Sequence, residues 1–168
     1  MTPFRVHLRQ RSHLETALYA VIVGVLAALL LYRLLELSAV AEKSAMEATV
    51  AQLQSALYAR AAKAVLEHKP LRTWQDRNPV ALAHAVLPNY LGEFDHPELA
   101  SLEPGNWLYD RSRHELVYLV RRARGFSGGS DPVPAIRFRL RLERNASGAY
   151  LPALLHPVSR YEWDPAPG

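Results

Sequence analysis

Hydrophobic and polar positions divide this chain into four regimes. The first is Thr16 to Tyr32 (TALYAVIVGVLAALLLY), which is uncharged and apolar on every side. That is close to the roughly 20 apolar residues a helix needs to span a hydrocarbon core, and Leu34 and Leu35 extend it while Arg33 snorkels. Residues 16–35 therefore predict a transmembrane helix. The second regime, residues 36–69, predicts an amphipathic continuation of the same helix. No Gly or Pro interrupts Leu34 to Glu67, and strong helix formers dominate. Met46, Val50, Leu53, Leu57, Ala61 and Ala64 recur at steps of three and four, one apolar stripe at helical period. Glu42, Lys43, Glu47, Gln52, Gln54, Arg60 and Lys63 lie off that stripe, and His68-Lys69-Pro70 ends it. A helix of about 50 residues would measure about 75 Å.

The third regime, residues 70–105, is punctuated by prolines and reads as a connecting region. Asn78 can cap a helix and Pro79 suits its first position, so Val80 to Leu87 predict a short helix that Pro88 ends. Asn89 to Gly92 and Glu103 to Gly105 read as loop and turn. In the fourth regime, residues 106–163, the period becomes that of a sheet. Asn106 to Asp110 and Glu115 to Arg121 predict a hairpin around Arg111 to His114. Both alternating sets of the second strand are apolar, as expected of an inner strand. The loop Gly125 to Asp131 precedes a strand from Ala135 to Glu143. There Ile136, Phe138, Leu140 and Leu142 face one way, and Arg137, Arg139 and Arg141 the other. Asn145 to Gly148 predict a turn and Tyr150 to Leu155 a fourth strand, and residues 164–168 read as a loose tail. The predicted fold class is α+β: a long N-terminal helix packed on a small antiparallel sheet of three to four strands.

Charge adds a topology. The net charge is +4, but residues 1–33 hold four arginines (Arg5, Arg9, Arg11, Arg33) against Glu15, leaving 16 basic and 15 acidic residues in the remainder. The basic excess thus belongs to the leader, residues 1–15, and does not mark the following domain as a nucleic-acid binder. Positive charge beside the first span places the N-terminus in the cytoplasm and the domain across the membrane, which in a bacterium means an inner-membrane anchor and a periplasmic domain. The competing expectation is a signal peptide cut after Ala41, since Ala39-Val40-Ala41 fits the small-x-small pattern. The apolar run is longer than the usual h-region, and Arg33 and Glu36 intervene, both of which favour a retained anchor.

Candidate chemistry is sparse. With no cysteine, disulfides, thiolate metal sites and a cysteine nucleophile are excluded. His68, His84, His96 and His114 are scattered without a metal-binding spacing, and no nucleophile elbow, phosphate loop or dinucleotide fingerprint occurs. The expectation is a non-enzymatic protein with no cofactor or metal. Two contact surfaces are expected instead. Ala20, Gly24 and Ala28 form small-xxx-small pairs that let helices approach closely, and the stripe Met46, Val50, Leu53, Leu57 covers either the chain's own sheet or a partner helix. Arg137, Arg139 and Arg141, with Arg121, Arg122 and Arg124 nearby, would make a basic strip, read either as an ordinary solvated face or as a docking face for an acidic partner or anionic polymer.

A basic leader, an apolar helix running into an amphipathic one, a connecting region and a small antiparallel sheet together resemble a type IV pilin or type II secretion pseudopilin. The similarity spans nearly the whole chain as architecture. At the family's processing motif, Leu14-Glu15 match and Ser12 approximates a threonine. Gln10 stands in place of the glycine, Arg11 of the phenylalanine and His13 of the leucine. In that family the matching glutamate, Glu15 here, pairs with a neighbouring subunit's freed amine, and the missing glycine argues against cleavage and hence against that amine. Glu15 is otherwise an interfacial carboxylate near a helix N-terminus. Gly105 to Asp110 followed by Glu115 to Tyr118 also resembles accessory pilin-like proteins of the mannose-sensitive haemagglutinin type. The resemblance implies membrane lipid, pilin or pseudopilin subunits, or assembly-platform proteins as partners, and a homo-oligomer through the N-terminal helix. A membrane-anchored periplasmic adaptor unrelated to pilins is the other expectation.

Overall fold

The computed structural model describes residues 7–129, 131–142 and 154–164. These fall into two units that meet between Ser38 and Ala39. One helix, α1 (His7–Leu66), contributes to both. Among the described residues it is the one helix long and apolar enough to cross a membrane, and its residues 13–33 are exposed throughout. In water such a surface would be costly, so lipid or other helices are its natural surroundings.

The second unit is α+β. Its main sheet runs β1 (Tyr90–Phe94), β2 (Trp107–Asp110), β3 (Glu115–Leu119), β5 (Ala135–Arg141) and β6 (Leu154–Pro157), in that spatial order. A separate ribbon pairs β4 (Phe126–Gly128) with β7 (Tyr161–Trp163). The predicted hairpin is present, with Trp107 opposite Tyr118 and Asp110 opposite Glu115. The sheet is mostly antiparallel, with one departure. Tyr90 to Phe94, whose first three residues were expected as loop, form β1, which pairs parallel to β2 with a shift in register between Tyr90 and Glu93. A five-residue segment containing an irregularity at a positive-φ glycine carries little strand signal of its own. The ribbon was likewise not expected. Asn145 to Gly148 and residues 150–153 of the expected fourth strand lie outside the described residues, as do residues 165–168 of the tail.

The amphipathic half of α1 lies over one sheet face. Met46, Leu53 and Leu57 are buried with Trp107, Tyr109, Leu116, Tyr118, Ile136, Phe138 and Leu140 in the main core, and Val50 packs at its edge. Alternation along the strands explains why these residues meet: each sheet residue in that set points the same way from its strand. Trp107 sits 4.7 Å from Tyr118, centroid to centroid. The opposite face is also covered, by Leu99 packed on Leu108, Val117, Leu119 and Ala135, with Leu102 and Val133 beside them. A sheet with one apolar face was expected; both faces of its central strand are buried.

Polar clamps hold the helix in register on the sheet. The Glu42 carboxylate accepts from the Tyr118 hydroxyl at 2.9 Å and from the backbone N–H groups of Arg121 at 2.7 Å and Arg122 at 2.9 Å. One helix turn before the core stripe, this carboxylate thus caps the free end of β3. Burial first, and then the Glu42 carboxylate, push the Tyr118 phenol above its ordinary 10.0. Further along α1, Gln54 Oε1 accepts from the Leu155 N–H at 2.7 Å. Replacing Glu42 with alanine is expected to cost about 1.5–3 kcal/mol, the range for hydrogen bonds to a charged group. It should also bring the Tyr118 titration down toward 10, read by ultraviolet difference spectroscopy against Tyr118→Phe. An unchanged tyrosine titration would remove the clamp.

Four histidines that drew attention as candidate chemistry are conformational. His68, His84, His96 and His114 all have positive φ, a region in which Asn, Asp and His are enriched among non-glycine residues. His68 ends α1: its N–H donates to Val65 O, and Lys69 N–H donates to Ala64 O. His84 ends α2 (Pro79–Ala83) in the same way, with Ala85 N–H reaching back to Val80 O. This closure is why α2 stops at Ala83 rather than running to Leu87 as expected. Its start is as expected: Asn78 Oδ1 accepts from Val80 N–H at 2.9 Å and Pro79 occupies the first turn.

Candidate functional site

The expected contact residues separate into three situations. Glu15, Ala20, Gly24 and Ala28 lie on α1 in the first unit and are all exposed. A Cβ added at Gly24 would meet nothing within 4 Å. Met46, Leu53 and Leu57 are each 2 % exposed or less and are spent on the chain's own core. Of the two roles expected for that stripe, covering the sheet is the one observed.

The expected basic face is interrupted at Arg137. Arg137 is buried and its guanidinium is surrounded by carboxylates. Nε and Nη2 donate to the two Asp131 oxygens at 2.8 and 2.9 Å, and Nη1 donates to Asp110 at 3.2 Å and Glu115 at 3.0 Å. Arg139 donates to Glu115 Oε1 at 2.6 Å. Of the three strand arginines Arg141 is exposed and Arg139 half-buried, and Arg121, Arg122 and Arg124 nearby are exposed. The reason lies in the second covered face. Leu99 and its neighbours exclude water over Leu108 and Val117, so a cation in the next strand needs buried partners, which the ends of the β2–β3 hairpin and Asp131 supply. The signal was available in Asp110 and Glu115 flanking the predicted turn, and in a β3 apolar on both sides. Burial alone would raise the Asp110 pKa, but the hydrogen bonds from Ser112 and Arg137 outweigh it and hold the group below its ordinary 3.8. Burial opposes the Arg137 charge, and the Asp131 hydrogen bonds more than offset it, so this group stays a cation. The cluster's two cations are taken up by its own three carboxylates, and its role is structural.

The open cation-rich surface is elsewhere, in a groove of about 910 Å³ at the C-terminal end of α1. Ala64 at its floor is buried, Trp74 and Leu82 half-buried, and Tyr109 forms part of the wall. Five Lys/Arg side chains line it, from α1 (Arg60, Lys63), the stretch after it (Lys69, Arg77) and the β2–β3 turn (Arg111). The acidic lining is Glu67, Asp76 and Glu93. Lys69 Nζ lies 2.7 Å and Lys63 Nζ 3.8 Å from Glu67, and the Lys69 hydrogen bond lowers the Glu67 pKa. Asn78 Nδ2 donates to Glu93 at 2.7 Å. The Tyr109 hydroxyl donates to Asp76 O at 3.0 Å, and burial, with the Glu93 and Asp76 charges adding, pushes its pKa up to about 12. Periodicity could not have found this groove, because its cations come from three separate stretches of chain.

Among the described residues no group of three or more His, Asp or Glu is placed to hold a metal ion. No protein-family model, curated protein or solved structure matches this chain.

Proposed function

We propose that this chain is a non-enzymatic, single-pass membrane protein with a pilin-like periplasmic domain, acting in biogenesis of a type IV pilus of the mannose-sensitive haemagglutinin type or of a type II secretion filament. The observation that carries the reading is the packing of the amphipathic half of α1 over the sheet, through Met46, Leu53 and Leu57. An adaptor whose helix forms a coiled coil would keep that stripe for its partner. A retained anchor is supported by Ala39-Val40-Ala41 lying inside α1 rather than in an exposed extended stretch. The anchor around Gly24 then meets neighbouring helices of the filament or its assembly platform, and Glu15 sits at the membrane interface.

The test is made in the host. Deleting the gene should reduce surface filaments or filament-dependent secretion, and a photo-crosslinker at position 20 should trap filament or platform subunits. Gly24→Leu should lower the trapped yield by about threefold or more, the effect of losing one close helix contact. Normal filaments and secretion in the deletion strain, with crosslinks only to unrelated periplasmic proteins, would favour the adaptor. A mature N-terminus at Glu42 would rule out the anchor.

A further inference from the structure

We propose that the groove at the C-terminal end of α1 is a docking site for an extended acidic segment of a partner protein, with an apolar side chain following the acidic stretch. The inference rests on the second unit alone and holds for either reading of the anchor.

Charge complementarity is the first argument. The groove's five Lys/Arg exceed its three carboxylates, and Glu67 already shares Lys63 and Lys69. Arg111 is held by Asp95 at 2.6 Å. Arg60 and Arg77 have no carboxylate partner among the described residues, so one cation on α1 and one just before the Asn78 cap are left for a ligand. A guanidinium presents a planar fork of donors that matches a carboxylate edge, and both of these side chains reach solvent.

Shape is the second. Positive charge that converged on one point would suit a single small anion. Here the cations belong to separate elements spread around a floor of Ala64, Trp74 and Leu82, so the complementary ligand carries several negative charges along a chain. The groove then adjoins a smaller hollow of about 640 Å³, with which it shares Asn78, Ala81, His84 and Glu93. That hollow lies between residues 80–87 and β1 and is lined by Val80, Ala85, Val86, Leu87 and Tyr90. Val86, in the lining of that hollow, is 97 % exposed and so open to an apolar side chain. β1 is also an edge of its sheet, so its outer backbone groups are open to an incoming strand. The surface thus reads basic and then apolar, and its partner acidic and then apolar.

The test uses the full chain in detergent micelles and a fluorescein-labelled octapeptide, six Glu and Asp followed by Leu and Phe, beside a counterpart with Gln and Asn in place of the acids. The acidic peptide should bind saturably by fluorescence anisotropy and weaken with added salt. Arg60→Glu with Arg77→Glu should lower affinity by about tenfold or more, since each reverses a charge lining the groove, half-buried at Arg60 and exposed at Arg77. Arg77→Glu alone should give an intermediate loss, and Arg141→Glu, outside the groove, none. The inference is overturned by equal binding of the uncharged counterpart, by unchanged affinity in a double variant with unaltered circular dichroism, or by complete displacement with millimolar inorganic phosphate. Tighter capture of a heparin oligosaccharide than of the peptide would also overturn it, assigning the groove to a polysaccharide.

Discussion

Replacing Arg137 with methionine is expected to destabilise the domain by about 3–5 kcal/mol at neutral pH, the cost of leaving buried carboxylates without their cation. Asp110 and Glu115 are 2 % and 3 % exposed, so water cannot substitute. The pH dependence should invert as well. In the native protein the Asp110 pKa is held below its ordinary 3.8. That contribution is fully present above the unfolded value and is lost as pH falls through the folded one, so acid destabilises. Without the Arg137 hydrogen bond and charge, only the Ser112 hydroxyl and the Arg113 N–H still oppose burial, and the Asp110 pKa is expected to rise above the unfolded value. Its folded form then binds more protons, and stability is lost as pH rises. Urea unfolding of the full chain in micelles should therefore show Arg137→Met recovering part of its deficit near pH 4, where the native protein begins to weaken. A variant with native stability at neutral pH, or one that weakens in acid as the native protein does, would remove the buried ion cluster from the account.

Replacing Leu57 with alanine is expected to cost about 2–5 kcal/mol, the lost transfer of the side chain plus the cavity it leaves. Leu57 is completely buried, in the same core as Trp107 and Phe138. Because that core joins α1 to the sheet, the measurement also tests the packing on which the pilin-like reading depends. Trp107 fluorescence during unfolding reports the loss directly, and Val86→Ala, at an exposed position, should change stability little. Were Leu57 a partner contact instead, the alanine variant would keep the stability of the isolated chain and lose only association. That result would move the protein toward the adaptor reading.

How far the fold was legible depended on whether its signal was local. The stripe from Met46 to Ala64, the cap at Asn78-Pro79 and the hairpin around Arg111 to His114 are encoded within a few residues each, and all three stand in the structure. β1 was missed because its pairing with β2 spans an intervening segment and its own residues, Tyr-Leu-Gly-Glu-Phe, look like a turn. The Glu42 clamp was missed for a related reason. A glutamate off the apolar stripe of a helix is ordinarily solvated, and nothing near it in sequence announces Tyr118 or the N–H groups of Arg121 and Arg122. The candidate site was less legible still, because the groove's cations converge only after the chain has folded.

The arginines of β5 show where the boundary lies. Their alternation with Ile136, Phe138 and Leu140 determined that they share a face, and periodicity alone is enough for that. Whether the face meets water depends on what lies across it, and this was decided by Leu99, Asp110, Glu115 and Asp131 from elsewhere in the chain. The sequence by itself determined an apolar span, an amphipathic helix and the strands it covers, since each is a repeat with a fixed period. Only the tertiary structure decided that Arg137 is buried, that Arg60 and Arg77 have no carboxylate partner among the described residues, and that the stripe on α1 is spent on its own sheet. Those outcomes are set by packing between distant segments, which no local period records.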